Sequence, residues 1–311
     1  MNKTAAGHLL TLLTVFIWGI TFVSTKILLR DFTPVEILFS RFAIAYAALW
    51  LISPRLFRPV KRAHELYFAG AGLLGVTLYF ILENEALNYT LASNTSIIVS
   101  TQPMLTGILA IWLLRAERPG ARFFAGFVIA MAGICMISLG GSGAALSFTH
   151  LGDLLAVLAA VTWALYCIIV KKVSGFGYNT IQMTRRIFFY GLLFIIPALF
   201  IFKVKPGLSR YADPVSMFNL LFLGLLASGL CYVAWNFAVE VLGAVKTSAY
   251  IYIIPVVTIV ASAIILKERI TPLSAAGSAL ILLGLFISER RKLNKKIQEA
   301  TQDESGTGDV L

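Results

Sequence analysis

The sequence is poor in charged residues and in the residues that metal sites and disulfide frameworks need. Only 13% of its 311 residues are charged, and it contains three cysteines and three histidines. Cys135, Cys167 and Cys231 all lie in apolar runs, where small packing residues are expected, and they form neither a disulfide pattern nor a metal pattern. Aspartate-rich metal motifs and glycine loops for phosphate binding are also missing. The sequence therefore predicts a protein without a metal or another cofactor.

Apolar residues dominate the chain instead. They make up 59% of it, and the mean hydropathy is +0.85, which is more apolar surface than a soluble domain can bury. A helix needs about 20 mainly apolar residues to cross a bilayer. Ten segments meet this requirement, approximately 7–29, 33–53, 66–88, 91–114, 121–139, 151–170, 180–202, 216–241, 244–266 and 271–288. We therefore predict an all-α integral membrane protein with ten transmembrane helices.

The same residue pattern occurs twice along the chain. The matched pairs are Trp18 and Trp163, Lys26 and Lys171, and Arg41 and Arg186 at an offset of 145, then Asn84 and Asn236, and Pro103 and Pro255, at an offset of 152. Each half holds five predicted spans, and an odd number forces the two halves into opposite orientations. Duplicated hydrophobic halves are typical of secondary transporters, which hold substrate between the halves. The sequence thus predicts two inverted five-helix repeats.

The repeat also sets the expected domain boundaries. Residues 7–139 form the first repeat, 140–150 a linker and 151–288 the second repeat. Residues 289–311 form a polar tail that ends in mixed acidic residues. A segment of this composition cannot bury an apolar core, so we expect a disordered tail.

Basic residues predict the direction of the helices. With the N-terminus inside, sixteen of the 26 Lys and Arg residues lie in inside segments and seven in outside segments. Because positive charge gathers on the cytoplasmic side, we expect both termini in the cytoplasm and the protein in the cell or inner membrane. The net charge of +11 is explained by this topology, and it does not indicate a nucleic-acid partner.

Two arginines within predicted spans are candidates for substrate binding. Arg41 and Arg186 occupy matching positions on the second helix of each half. Arginine inside the hydrocarbon costs about 2.5–3.5 kcal/mol, so it should face a cavity or a partner. One interpretation is recognition of a carboxylate or phosphate on the substrate. The alternative is a structural pair with a helix end or with Glu36.

Acidic and amide residues close the third predicted helix and its counterpart. Glu83 and Asn84 are candidates for the cavity, as is Asn236 in the second half. Carboxylates in such places serve as proton-coupling sites or cation contacts, or they lie in the wet headgroup layer. Glu83 and Glu85 are two residues apart and point to different helix faces, so only one of them can line a given cavity.

Prolines and aromatic residues complete the candidate site. Gln102 and Pro103 lie in the fourth predicted helix, and Pro255 lies in the ninth. A proline inside a helix removes a hydrogen bond and permits a bend, so the two matched prolines predict a hinge or gate. The aromatic candidates for the cavity wall are Trp18, Tyr79, Trp163, Trp235, Tyr250 and Tyr252, with interface anchoring or packing as the alternative.

One short pattern points to an enzyme. Residues 140–143 match Gly-x-Ser-Gly, which occurs in intramembrane serine proteases. A nucleophilic serine needs a base, and His8, His64 and His150 all lie at or beyond predicted helix ends. The pattern also falls in the predicted linker, so we expect no enzymatic activity.

In the order of its motifs, the chain resembles the drug/metabolite transporter superfamily, in particular its EamA-type family. The resemblance covers about residues 8–289. It rests on Trp18-Gly19 and Lys26, Pro34-x-Glu36, Arg41-Phe42, Asn84-x-Ala86-Leu87-x-Tyr89, Pro103, Glu117-Arg118, Gly126 and Gly133, with Asn236, Pro255, Glu268-Arg269, Gly277 and Gly284 in the second half.

The resemblance implies a bundle in which helices one to four and six to nine surround a central cavity. It also implies transport of small organic metabolites, most often export of amino acids or related compounds, by alternating access. The partners are then a small-molecule metabolite and the lipid bilayer, with proton or ion coupling left open. A membrane-embedded enzyme acting on lipid or peptide and a non-transporting scaffold are the alternatives.

Overall fold

The computed structural model describes residues 2–54, 61–89, 98–116, 120–142, 150–202, 208–265 and 270–289, and all regular structure in them is helical. In the first half, the helices are α1 (Lys3–Leu28), α2 (Pro34–Ile52), α3 (Ala63–Gly72), α4 (Tyr79–Tyr89), α5 (Gln102–Leu113) and α6 (Ala121–Ser142). In the second half, they are α7 (His150–Ser174), α8 (Thr180–Ile201), α9 (Pro214–Leu221), α10 (Cys231–Leu242), α11 (Ala244–Ala249), α12 (Ile254–Ile265) and α13 (Pro272–Glu289). Two 3-10 turns, Leu208–Ala212 and Tyr250–Ile253, precede α9 and α12.

Seven helical stretches of the described chain are long and apolar enough to cross a membrane. They are Lys3–Leu28, Pro34–Ile52, Ala63–Ala86, Leu151–Ser174, Thr180–Ile201, Pro214–Leu242 and Ala244–Ile265. Three shorter apolar helices, Gln102–Leu113, Ala121–Met136 and Pro272–Ser288, accompany them. These stretches overlap the ten predicted spans, which supports the prediction of an all-helical membrane protein.

Two of the long stretches contain π-helical segments. The segment π1 (Leu73–Leu78) joins α3 to α4, and π2 (Phe222–Leu230) joins α9 to α10. In a π-helix each N–H bonds to the carbonyl five residues back, which widens the helix and is often found at functional sites. The predicted spans 66–88 and 216–241 are each one helical stretch in the structure, and no signal in the sequence indicates their π segments.

The helices pack in pairs that span the two halves of the chain. The first helix, α1, packs against α10 and α12, whereas α7 packs against α4 and α5. The second helix of each half meets its counterpart, α2 against α8, and also packs on the π segment of the other half. The largest buried side chains, including Phe42, Tyr166, Phe188, Tyr232 and Trp235, lie where these contacts meet.

The remaining two helices, α6 and α13, pack closely against each other through glycines. A Cβ atom on Gly133 would lie 2.5 Å from the carbonyl oxygen of Gly277, and one on Gly284 would lie 2.6 Å from that of Gly126. Only residues without side chains allow backbones to approach this closely, as in other membrane helix pairs. The four glycines were noted in the sequence as matched positions, and the contact gives them a packing role.

The structure corrects two details of the sequence analysis. Pro103 lies in the first turn of α5, and Pro255 in the first turn of α12, after the 3-10 turn Tyr250–Ile253. Pro103 thus starts α5, where no N–H donor is needed, whereas Pro255 lies within the continuous helical stretch Ala244–Ile265, where 3-10 geometry changes to α geometry. Gly140 to Ser142 belong to α6 instead of a linker. Linker residues 143–149, tail residues 290–311, predicted-span residues 91–97, Glu117-Arg118 and Glu268-Arg269 lie outside the described residues.

Candidate functional site

A cluster of aromatic side chains lies at the centre of the bundle, where α1, α4, α7 and α10 meet. Trp18 contacts Trp163 at 5.4 Å between ring centroids and Trp235 at 5.0 Å. Trp163 also lies 5.1 Å from Tyr79, and Tyr232 lies 5.8 Å from Trp18. Most of these pairs are tilted or edge-to-face, which is favourable for aromatic rings. Four of the six aromatic candidates thus come together in one cluster, although they come from four separate helices.

Arg41 lies beside this cluster and is almost completely buried, with 7% of its surface exposed. Its Nε donates a hydrogen bond of 2.8 Å to Ser228 Oγ, which belongs to π2. Its guanidinium carbon lies 5.1 Å from the ring centroid of Phe80 and 5.5 Å from that of Phe42. Stacking on aromatic faces is a property of the planar guanidinium, and lysine reproduces it poorly.

Glu83 is the acidic group that acts on Arg41 most directly, although the two side chains do not touch. Tyr79 OH donates a hydrogen bond of 2.9 Å to Glu83 Oε1. Arg41 and Glu83 lie in the same buried region, where Tyr79 and Tyr232 are near both of them. The ion pairs between described residues include Arg186 with Glu65 and Arg210 with Glu36, but not Arg41 with Glu83. The site therefore contains a basic and an acidic side chain that are not paired with each other.

Several donors in this region have no hydrogen-bond partner among the described residues. Trp163 Nε1 is buried and unpaired, and Gln102 Nε2 and Trp235 Nε1 are buried near Tyr79 and Cys167 without hydrogen-bond geometry to either. Gln102 lies beside Tyr79, so it belongs to the same region. Each buried donor without a partner costs about 1–3 kcal/mol. A ligand with hydrogen-bond acceptors would remove this cost, as would water.

The two asparagine candidates have different surroundings. Asn236 is fully buried, where it accepts a 2.6 Å hydrogen bond from Tyr166 OH and donates one of 2.9 Å to Thr184 Oγ1. Both ends of its amide are thus engaged in joining α10 to α7 and α8. Asn84 is half-buried on α4, one residue after Glu83. The structure places Asn236 beside the cluster in a position suited to holding helices together.

Arg186 lies away from the cluster, at the end of the bundle where α3 begins. Its Nε and Nη2 donate to the two carboxylate oxygens of Glu65 at 3.0 and 2.8 Å. Tyr190 OH donates to the same carboxylate at 2.8 Å. Arg41 and Arg186 match in sequence, yet the structure gives them different partners. The alternative of a pair with Glu36 is wrong for both arginines, because Glu36 binds Arg210 at 2.8 Å.

Tyr250 and Tyr252 make contacts in other parts of the bundle. Tyr250 OH is 2.7 Å from His8 Nδ1, and Lys246 Nζ is 3.0 Å from His8 Nε2, near the start of α1. Tyr252 is buried with Ala130, Ile134 and Ile281 in a small core between α6 and α13. Tyr250 also packs against the core that contains Trp163 and Trp235.

Two residues of the site escaped the sequence analysis. Tyr232 contacts five other rings, namely Trp18, Phe42, Trp163, Tyr166 and Phe188. Ser228 holds Arg41. A buried serine or tyrosine within an apolar helix is common, so nothing local in the sequence singles these out. Tyr232 and Ser228 are also far from Trp18 and Arg41 in the sequence, so their contacts with these residues cannot be predicted from local patterns.

Comparison with known proteins agrees with this architecture. The profile of the EamA-like transporter family matches residues 5–139 and 150–289. A solved crystal structure superposes with a TM-score of 0.74 at 17% identity and covers 92% of this chain and 96% of its own. At that identity the match establishes the fold alone.

Relatives of similar length carry transporter names. An uncharacterised transporter of Archaeoglobus fulgidus is 29% identical over 294 residues, covering 92% of this chain and 98% of the relative. A probable terminal-alkyne amino-acid exporter of Streptantibioticus cattleyicolor is 27% identical, covering 93% and 95%. A probable amino-acid metabolite efflux pump of Escherichia coli is also 27% identical, covering 90% and 93%. With the family profile matching nearly the whole chain, the protein belongs to the EamA-like transporter family and is a multi-pass membrane transporter of small molecules.

Proposed function

We propose that the protein exports a small zwitterionic metabolite of the amino-acid type by alternating access. The observation that carries the proposal is the pair of Arg41 and Glu83, which lie in the same buried region but are not ion-paired with each other. A zwitterion bound between them would place its carboxylate at Arg41 and its ammonium group at Glu83. Opposite charges in a low-dielectric site interact far more strongly than in water, so such a ligand would be favoured over a neutral one.

The aromatic cluster and the unpaired donors support the same ligand class. Trp18, Trp163 and Trp235 present apolar faces that suit an aliphatic or aromatic side chain. The free N–H groups of Trp163 and Gln102 favour a ligand with oxygen acceptors. Two relatives are named as exporters of amino acids or their metabolites, which agrees with this chemistry.

We further propose ten membrane-spanning helices in two inverted repeats, 7–139 and 151–288. The exchange of packing partners supports it, since α1 meets α10 and α12 as α7 meets α4 and α5. Inverted repeats allow one site to open to either side when the halves rearrange. Both termini then lie in the cytoplasm of a cell-membrane protein. A fluorescent protein fused after Leu311 should fluoresce, and a periplasm-active phosphatase inserted after Ser142 should be active; an inactive but well-expressed phosphatase would contradict this topology.

The experiment that tests the ligand class compares matched substrates in proteoliposomes. We expect purified protein to bind and move a radiolabelled L-amino acid, and to bind the corresponding amine and carboxylic acid at least tenfold more weakly. Glu83→Gln should abolish the preference for the amino acid over the carboxylic acid. Glu85→Gln, which removes a carboxylate two residues away, is the matched control and should retain that preference. Equal binding of all three compounds by the parent protein would contradict the proposal, as would a lack of transport.

A further inference from the structure

In each π segment, one carbonyl oxygen loses the N–H donor that an α-helix would supply four residues later, at corresponding positions of the two halves. The N–H of Tyr79 bonds to Leu74 O, five residues back, and so bypasses Gly75 O. The N–H of Cys231 likewise bonds to Leu226 O, and also to Ser228 O, and bypasses Ala227 O. At the offset of 152 residues seen in the sequence repeat, Gly75 corresponds to Ala227.

Each of these two carbonyl oxygens accepts a hydrogen bond from an aromatic side chain of the central cluster instead. Tyr232 OH donates to Gly75 O at 3.0 Å, and Trp18 Nε1 donates to Ala227 O at 2.9 Å. The donors come from distant parts of the chain, 157 and 209 residues away. A buried carbonyl without a partner is costly, so these bonds favour the π form over the α form in both places.

The π segments in turn hold the charged groups of the site. Ser228, which accepts the hydrogen bond from Arg41 Nε, is part of π2. Tyr79 and Glu83 follow π1 directly on α4. An α-helix advances about 100° per residue, so a change of π1 to α register would turn Glu83 by about that angle relative to α3. The orientation of both charges therefore depends on the π segments.

The two segments are also connected, because Tyr232 follows π2 directly on α10. If π2 became α-helical, Tyr232 would turn by about 100° and its hydroxyl would leave Gly75 O. Trp18 thus stabilises π2, π2 orients Tyr232, Tyr232 stabilises π1, and π1 orients Glu83. We infer that Trp18 and Tyr232 are positioning residues that hold the two π segments in place and thereby set the orientation of Arg41 and Glu83. The part of this inference that concerns ligand binding rests on the proposed function.

Removal of the two donors tests the order of dependence. Tyr232→Phe keeps the ring and removes the hydroxyl, and Trp18→Phe removes the indole N–H. Hydrogen–deuterium exchange in nanodiscs, followed on peptides that cover 73–79 and 222–231, should be faster in both peptides for Trp18→Phe. For Tyr232→Phe it should be faster in the 73–79 peptide alone.

Two controls separate this effect from a general loss of packing. Tyr166→Phe removes a hydroxyl that binds Asn236, and Trp163→Phe removes an indole N–H without a partner among the described residues. Neither substitution should make exchange faster in the peptides that cover 73–79 and 222–231. Unchanged exchange in both Trp18→Phe and Tyr232→Phe, or the same change in all four variants, would overturn the inference.

Binding of one radiolabelled L-amino acid, chosen by screening the common L-amino acids one at a time against the parent protein, provides the second measurement. The loss of one hydrogen bond of this kind should raise the Kd of Tyr232→Phe about fivefold. Faster exchange with an unchanged Kd would overturn the positioning role. If the parent protein binds no amino acid, the proposed function fails, and the exchange measurement still decides whether the two segments depend on Trp18 and Tyr232.

Discussion

Arg186 and Glu65 form a two-pronged ion pair that joins α8 to the start of α3, with contacts of 3.0 and 2.8 Å. Tyr190 adds a third hydrogen bond to the same carboxylate. The side chains are 28% and 22% exposed, so the pair is partly hydrated. The geometry favours a structural role for Arg186, in contrast to Arg41.

We therefore predict that Arg186→Ala destabilises the protein by about 1 kcal/mol, because partly exposed pairs of good geometry contribute about that much. Thermal unfolding in detergent measures it. Glu65→Ala should cost a similar amount, and the double variant should cost little more than either single one. Arg122→Ala, at an exposed position on α6, is the control. Additive losses in the double variant would show that the two residues act independently.

Arg41→Lys should weaken substrate binding by at least tenfold with little change in thermal stability. Arg41 can donate to Ser228, stack on Phe80 and bind a carboxylate at the same time, because its guanidinium is planar and has several donors. Lysine carries a point charge and cannot make these three interactions together. Initial rates of uptake over a range of substrate concentrations measure the effect. Arg186→Lys, the sequence-matched variant, should leave the KM nearly unchanged. Equal effects of the two substitutions would contradict the different roles assigned here.

Gly133→Leu should separate α6 from α13. Even a Cβ atom at this position would lie 2.5 Å from Gly277 O, so the helices must move apart. Overpacking of this kind costs about 1–3 kcal/mol, which should appear as a lower unfolding temperature in detergent. Ala132→Leu, one residue earlier on the exposed face of α6, should have little effect. A similar loss in both variants would argue against a specific helix contact.

Pro103 and Pro255 remain proposed gate residues, for a reason that differs from a kink inside a helix. Because proline has no N–H, each of these residues cannot donate a backbone hydrogen bond to the turn before it. Pro255→Ala should allow α12 to continue into residues 250–253, which now form a 3-10 turn. We expect slower transport with nearly normal binding.

Because the two halves are proposed to be inverted, Pro103→Ala and Pro255→Ala should favour openings to opposite sides. Labelling of single cysteines from each side of the membrane measures the accessibility in both variants. Pro197→Ala, in the interior of α8, is the matched control for a proline outside the proposed gates. Labelling patterns and transport rates equal to those of the parent protein would exclude a gate role.

The sequence by itself determined the class of the protein and much of its helix order. Apolar runs of about 20 residues are sufficient to predict membrane helices, since the hydrocarbon leaves backbone groups no partner other than the helix itself. Local signals also marked helix starts: α2 begins after Thr33 and Pro34, where Thr33 and Glu36 form a reciprocal cap. The repeat and its motifs predicted the family, which the comparisons confirmed.

The tertiary structure decided the different roles of matched residues. Arg41 and Arg186 have the same place in the repeat, but only Arg41 lies beside the aromatic cluster, because the neighbours of the two helices differ. The π segments could not be predicted for a similar reason. Their register is stabilised when Trp18 and Tyr232, brought close by the packing of α1 and α10, donate to carbonyls that a local α-helix would have used. Periodicity along one helix contains no information about such distant donors.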